Sequence, residues 1–230
     1  MVVVAHPDDE ILGLGATMHK LIREYNAQTH VIILGEGITS RSETRDVELW
    51  SKELEIHQSN IKSAQKKIGY KTLNTYQFPD NRFDTVALLD IIKVIEQEKE
   101  EFAPDIIFTH HGADLNIDHR ITFESVMTAT RPMENESVKA IIAFETSSGT
   151  EWQASTNPQP FTPNMYIEVK EDDVAAKIAA MKQYEFEIRN FPHPRSIEAL
   201  KIKMQQRGIE IGCKYAEAFH LVRVNLIDSF

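Results

Sequence analysis

The sequence predicts a single α/β domain, a mostly parallel β-sheet sandwiched between two layers of helices, on three observations. Short apolar runs alternate with longer segments whose apolar residues recur at helical spacing, and this holds over residues 1–146. Two of the strand-like runs empty directly into clusters of histidine and carboxylate residues, as strands of an open α/β sheet do at a ligand site. A length of 230 residues with 42% hydrophobic content suffices for one packed core spanning 1–230.

Val2 to Ala5 is an apolar, β-branched run, a candidate buried strand. Leu14 to Tyr25 carries Met18, Leu21, Ile22 and Tyr25 at helical spacing. Thr29 to Leu34 is the second strand, broken by Gly35-Glu36-Gly37. Asp46 to Ile68 places Leu54, Ile61, Ala64 and Ile68 on one face of an amphipathic helix. Thr72 to Gln77 reads as a short strand, and Asp84 to Glu100, with Leu88, Ile91, Ile92 and Ile95, as a helix. Pro104 introduces the strand Asp105 to Thr109, which runs into His110-His111-Gly112-Ala113-Asp114. Ile121 to Thr130 is helical and Val138 to Glu145 is the next strand. The β-α-β-α order implies right-handed crossovers and a Rossmann-like core over 1–146, hence a three-layer sandwich.

Residues 147–230 differ. Ser147 to Asn164 holds three prolines and Trp152, and reads as a long loop of the kind that forms lids or substrate walls. A strand (Met165 to Val169), a helix from near Asp172, a helix from Ser196 to Arg207 and a last strand (Ala218 to Val224) complete the chain. There is no internal repeat.

A net charge of −10 argues against broad electrostatic binding to nucleic acid or anionic membranes. One cysteine, Cys213, excludes an intrachain disulfide and suits a reducing compartment. No apolar stretch is long enough for a membrane span, and the N-terminus lacks a basic segment followed by an apolar signal core. These features point to a cytoplasmic protein.

The chemistry concentrates at two strand ends. His6, Asp8, Asp9 and Glu10 follow the first strand; His110, His111, Asp114, Asp118 and His119 follow a later one. In a parallel sheet these ends share one edge. Two His and one Asp satisfy a catalytic zinc that keeps a position for water, and Fe²⁺ suits the same set. Two adjacent carboxylates in one turn point to different places, so one can ligate while the other takes a proton from the water. Glu10 reads as a residue of the helix's first turn rather than a ligand, because acids favour helix N-termini.

His6-Pro7-Asp8-Asp9-Glu10 after a short N-terminal strand, with Asp114-Leu115-Asn116-Ile117-Asp118-His119-Arg120 far downstream, resembles the LmbE-like, or PIG-L, family of zinc-dependent de-N-acetylases. Leu34-Gly35-Glu36-Gly37, Phe78-Pro79-Asp80-Asn81 and Tyr215-Ala216-Glu217-Ala218-Phe219 agree. The resemblance implies a Rossmann-like fold, a homo-oligomer, and removal of an N-acetyl group from an amino sugar or its conjugate, a small-molecule substrate. It implies His6, Asp9 and His119 as metal ligands and Asp8 as general base. Where the family often carries a histidine that assists the oxyanion, this chain has Asn116, which donates a neutral hydrogen bond but no proton. His193 is then the candidate acid, with His110 and His111 as competitors. Two other functions stand beside this one: an amidase of another small N-acyl compound, and a non-catalytic metal- or sugar-binding protein.

Other residues divide between site and scaffold. Asp114 reads equally as site residue or turn former. Glu36 leans to the site. Arg41, Arg45 and Arg195 have the geometry to bind a substrate phosphate, although a solvated surface is the commoner place for an arginine. Trp152 is suited to stacking on a sugar or to anchoring its loop. His19, His30, His57 and His220 lie in helix or strand patterns and read as structural. Gly13 and Gly15 lack the full spacing of a dinucleotide loop and follow an acidic motif, so that reading is rejected.

Overall fold

The computed structural model describes residues 1–225. Its strands are β1 (Val2–Val4), β2 (His30–Gly35), β3 (Thr72–Phe78), β4 (Ile106–His110), β5 (Ala140–Phe144), β6 (Met165–Glu168) and β7 (Ala216–Val224). They form one sheet in the order β3-β2-β1-β4-β5-β7-β6. β3, β2, β1, β4 and β5 run parallel; β7 is antiparallel to both β5 and β6. The helices are α1 (Asp9–Tyr25), α2 (Ser51–Ile68), α3 (Leu88–Phe102), α4 (Ile117–Ala129), α5 (Glu171–Met181) and α6 (Ile197–Ile211). The expected α/β sandwich with a mostly parallel sheet is present.

β1 is buried on both faces, as a central parallel strand must be. Val2 and Val4 face Ile11 and Leu12 of α1, Ile61 of α2 and Met181 of α5. Val3 and Ala5 face the other layer, with Ile91 and Ile95 of α3 and Val126 of α4. The chain winds outward from β1 through β2 to β3, then returns to lay β4 on β1's other side. The order thus reverses between β1 and β4, and both strands carry chemistry-bearing residues at their carboxyl ends.

Four helix starts differ from the sequence expectation: α2 begins at Ser51, not Asp46, and α3 at Leu88, not Asp84, and the other two bear on the site. α1 begins at Asp9, not Leu14, with Asp9 and Glu10 in its first turn. Leu14 is instead a break inside it, at φ −147° and ψ 21°. α4 begins at Ile117, not Ile121, because the Asn116 side chain caps it by accepting from the Asp118 N–H at 2.8 Å. Gly13 is required by packing: a Cβ there would lie 2.2 Å from the Phe144 ring of β5.

The α1 break frees backbone groups in the core, and a buried ion pair takes them up. In an unbroken helix the Ala16 N–H would bond the Leu12 carbonyl. Here Leu12 O accepts from Lys177 Nζ at 2.8 Å, while Glu217 accepts from Ala16 N (3.3 Å) and Thr17 N (2.6 Å). Lys177 and Glu217 meet at 2.6 Å, both buried. The glutamate of Tyr215-Ala216-Glu217-Ala218-Phe219 therefore ties β7 and α5 to the helix that opens the site. Glu217→Ala strips both N–H groups and strands the Lys177 ammonium. A loss of about 3–5 kcal/mol is expected in urea unfolding, with any loss below about 1 kcal/mol contradicting this account.

Candidate metal centre and active site

The turn after β1 is built to hold carboxylates in fixed directions. Asp8 adopts φ 113° and ψ −25°, a left-handed conformation that a non-glycine residue holds only under constraint. The constraints are visible. Asp8 N donates to Glu10 Oε2 at 3.1 Å, and Glu10 Oε1 accepts from the buried Tyr184 hydroxyl at 2.5 Å. His6 N donates to Asp9 Oδ2 at 2.8 Å. Glu10 thus braces the turn. Burial pushes its carboxyl up to about 7, against the hydrogen bond from Tyr184.

His6, Asp9 and His119 converge, all buried, with one potential ligand atom from each inside a 4.8 Å group. Asp9 Oδ2 lies 3.4 Å from His6 Nδ1 and 3.3 Å from His119 Nε2. The far nitrogen of each imidazole is held by a carboxylate. His6 Nε2 faces Asp118 Oδ2 at 2.9 Å, and His119 Nδ1 faces Asp114 Oδ1 at 3.0 Å. These carboxylates are anchored in turn: Phe83 N donates to Asp118 Oδ1, and Thr150 Oγ1 to Asp114 Oδ2. A carboxylate behind each ligating histidine fixes ring and tautomer and raises ligand basicity. Asp114, left open by its sequence, has this position.

Two buried atoms in the cluster have no hydrogen-bond partner: His119 Nε2 and Asp9 Oδ1. A divalent cation between His6 Nδ1, Asp9 and His119 Nε2 would satisfy both, so the donor set fits a metal. The local field agrees. Burial disfavours charge on both imidazoles, yet Asp118 and Asp9 hold His6, and Asp9 and Asp114 hold His119, above the ordinary imidazole range. Burial also opposes the Asp9 charge, but His119 and His110 keep that carboxyl well below its usual range.

Asp8 points elsewhere. Its Oδ2 accepts from Arg195 Nη1 at 3.1 Å, and the same nitrogen donates to Glu187 Oε2 at 2.8 Å. Burial drives the Asp8 carboxyl well above its usual range, against the pull of Arg195. Adjacent carboxylates therefore sit in opposed environments. Both line or adjoin a polar cleft of about 90 Å³ at the β1–β4 edge, walled by His6, Asp8, His57, Asp80, Asn116 and Arg195. A larger cavity, about 640 Å³, is apolar and lies at the opposite end of the strands, around Met1, Phe102 and Ile106.

The remaining candidates fall into place individually. Asn116 lines the cleft; its Nδ2 donates to Asn81 Oδ1 at 2.7 Å, which leaves the second amide hydrogen free. His110 stacks on His119, with ring centroids 3.9 Å apart. Its Nε2 accepts from Ala5 N, so the ring proton is on Nδ1, facing Thr146, and burial pushes the imidazole down to about 3. His111 bonds the Gln159 carbonyl in the 147–164 loop, away from the ligands. His193 is not brought to the cleft wall. Its Nδ1 accepts from Arg195 N and its ring meets the edge of Trp152, which is 52% exposed.

The arginines are paired with carboxylates. Arg45 grips Glu36 through two bonds of 2.8 Å, and Arg41 meets Glu187 at 2.6 Å. Arg41 and Arg195 do line the cleft, while Glu187, Asp80 and His57 are cleft residues that the sequence did not single out as site residues. Phe78-Pro79-Asp80-Asn81 was the one local signal. His19, His30 and His220 are hydrogen-bonded within the fold, to Asp173, Thr72 and Glu98, and the Thr162 carbonyl.

Asp114→Asn keeps the size of the side chain and weakens its hold on His119 Nδ1. Metal affinity should fall about 10–100-fold. Titration of the purified variant against a chelator reads this directly, and an unchanged affinity would place Asp114 outside the metal's support.

Residues 1–130, more than half of the chain, match the PIG-L family model, described as GlcNAc-PI de-N-acetylase. The uncharacterized deacetylase YaiS of Escherichia coli (strain K12) is 27% identical over 189 residues, 80% of this chain and 89% of that protein. The N,N'-diacetylchitobiose deacetylase of Pyrococcus horikoshii superposes with a TM-score of 0.70 at 17% identity, covering 96% of this chain and 82% of that one. GalB of Pseudomonas putida KT2440, a 4-carboxy-2-hydroxymuconate hydratase, superposes at 0.71 with 17% identity, covering 100% and 98%. At such identities likeness of structure speaks for the fold alone, and the hydratase shows why. The family match stands on the sequence itself: the chain belongs to the PIG-L family of LmbE-like deacetylases.

Proposed function

We propose that the protein is a metal-dependent hydrolase that removes an N-acetyl group from an amino sugar or its conjugate. The observation that carries this is the pairing of two carboxylates in one turn: Asp9 among the imidazoles with an unmet oxygen, Asp8 turned to the cleft and steadied by Arg195. Zinc is the metal proposed, and Fe²⁺ suits the same two-histidine, one-aspartate set. When bound by His6, Asp9 and His119, it supplies a Lewis acid for the acetamide carbonyl and makes water more acidic.

The protein's own groups then have separate tasks. Asp8 Oδ2 is held by Arg195, so Oδ1 is the atom that takes a proton from the attacking water. The Asn116 amide, with one hydrogen uncommitted, donates to the substrate oxygen as charge gathers there. The carbon–nitrogen bond breaks, and the proton on Asp8 Oδ1 passes to the leaving amine. The product acid keeps the water's second proton and loses it to the amine or to solvent, so acetate and a protonated amine result. This assigns both proton transfers to Asp8, because His110 has its protonated nitrogen committed to Thr146 and His193 faces Trp152. The family description and the chitobiose deacetylase support a sugar as the carrier of the acetyl group, as does the polar cleft.

Acetate release from N-acetylglucosamine and its conjugates by metal-loaded protein tests the proposal. Asp8→Asn should lower kcat by about 10²–10⁴-fold with metal content unchanged. Release by wild type alone supports the assignment. No release from any N-acetyl sugar by fully metal-loaded wild type would move the activity to another N-acyl compound or to binding without turnover.

A further inference from the structure

The run Thr146-Ser147-Ser148-Gly149-Thr150 follows β5 and reads in the sequence as loop composition. Because β5 pairs with β4, it lies at the carboxyl edge of the sheet, against the loop that carries Asp114. It is a closed turn: Gly149 N and Thr150 N both donate to the Thr146 carbonyl, at 3.1 and 2.9 Å. Two of its hydroxyls are spent on the two halves of the site.

Thr150 reaches the metal side. Its Oγ1 accepts from Thr146 N at 2.8 Å and meets Asp114 Oδ2 at 2.7 Å. A hydroxyl has one proton, and a backbone N–H only donates, so that proton is committed to Asp114. The other carboxylate oxygen, Oδ1, faces His119 Nδ1 at 3.0 Å. The approach is close: a Cβ on Gly149 would lie 2.5 Å from Asp114 Oδ1, and only glycine leaves that room. Gln153 and Asn157, further along the same loop, donate to the Ala113 carbonyl at 2.8 and 3.1 Å and pin it to the residue before Asp114.

Ser148 reaches the other half. Its Oγ accepts from Arg195 Nε at 2.8 Å, and the same guanidinium donates from Nη1 to Asp8 Oδ2 at 3.1 Å. A guanidinium is a rigid plane, so anchoring Nε fixes the direction of Nη1. Ser148 does this from φ 69°, a left-handed conformation that a serine holds at a cost. Among the described residues, this turn is the one segment whose side chains bond both Asp114 and Arg195.

We propose that the Thr146–Thr150 turn is a positioning element shared by both halves of the site: Thr150, through Asp114, directs His119 toward the metal, and Ser148, through Arg195, directs Asp8 toward the water. The Asp8 half rests on the deacetylase reading above. The His119 half requires only that a cation bind.

Thr150→Val keeps the branched shape and removes the proton given to Asp114; Thr150→Ser restores it. Ser148→Ala removes the acceptor of Arg195 Nε. Chelator competition reads the Zn²⁺ affinity, and acetate release at saturating Zn²⁺, from the N-acetyl sugar that wild type turns over fastest, reads kcat and KM. Expected for Thr150→Val is a Zn²⁺ Kd raised about 10-fold, with Thr150→Ser close to wild type. Ser148→Ala should leave the Zn²⁺ Kd unchanged and lower kcat about 10–100-fold, with little change in KM. A turn that only supports the fold would lower the melting temperature of both variants and leave Zn²⁺ Kd and kcat at wild-type values, which overturns the proposal. So does an unchanged Zn²⁺ affinity in Thr150→Val, or an unchanged kcat in Ser148→Ala. Should Thr150→Val not fold, Thr150→Ala answers by the same affinity measurement. If wild type releases no acetate from any N-acetyl sugar, the deacetylase reading fails. The Zn²⁺ affinities then still decide the role of Thr150, and a crystal structure of Ser148→Ala decides that of Ser148: Arg195 displaced from Asp8 upholds it, and Arg195 in place refutes it.

Discussion

The hydrogen bond between His6 Nε2 and Asp118 Oδ2 spans 112 positions of chain and joins the two motifs into one site. It holds Nε2 of the buried imidazole and so turns Nδ1 toward Asp9, with Asp80 Oδ1 3.4 Å from the same Nε2. The bond is possible only because β1 and β4 are neighbours, with Val2 opposite Phe108 in register. A second link, Ala5 N to His110 Nε2, closes the same seam and commits His110 to the fold. Sheet order therefore decides which side chains remain available for chemistry. It assigns His110 to the scaffold, and His6 and His119 to the cluster that can take a metal.

Separation of the two carboxylates is the second constraint. Asp8 and Asp9 are adjacent in sequence and both buried, yet their surroundings push them apart, imidazoles around one and Arg195 with Glu187 around the other. Environments of this kind let neighbouring acids take different roles. The left-handed backbone at Asp8 makes the divergence possible by turning its side chain out of the path of Asp9. That conformation is costly, on the order of 1–3 kcal/mol. The brace from Tyr184 through Glu10 to Asp8 N shows where the fold offsets the strain.

Much of this is legible in the sequence where the signal is local. The β-α alternation, the strand that runs into His6, and the far cluster around His119 are contiguous patterns, and strand ends of a parallel sheet share an edge by topology alone. The start of α1 is not legible from apolar spacing, because its first turn is polar and Leu14, where the helical spacing is first read, is the break. Nor is the antiparallel arrangement of β7 and β6, which depends on how the chain returns after the 147–164 loop. Arg195 and Glu187 are invisible as partners of Asp8 because nearly 190 positions separate Arg195 from the turn it steadies. Asp114 looks like a turn former and is one: its Oδ1 accepts from Asn116 N in the loop as well as facing His119 Nδ1.

A different limit applies to His57. Its distinguishing property is the absence of a contact, and no pattern of residue types encodes an absence. Its sequence neighbours place it on a helix, and its burial suits a core histidine. Other buried histidines of this chain meet that description with partners, as His30 does through Thr72 and Glu98. A core histidine selected for stability would have acquired such partners, because an unmet buried donor and acceptor are each destabilising by about 1–3 kcal/mol. Tyr184 is close enough to pack against the ring but spends its hydroxyl on Glu10. The fold thus supplies shape around His57 and withholds hydrogen bonds from it. Each of its nitrogens is sealed from solvent as well, so the ring is held by its aromatic neighbours alone, unlike the unmet atoms of the metal cluster, which face one another across a space that a cation would fill.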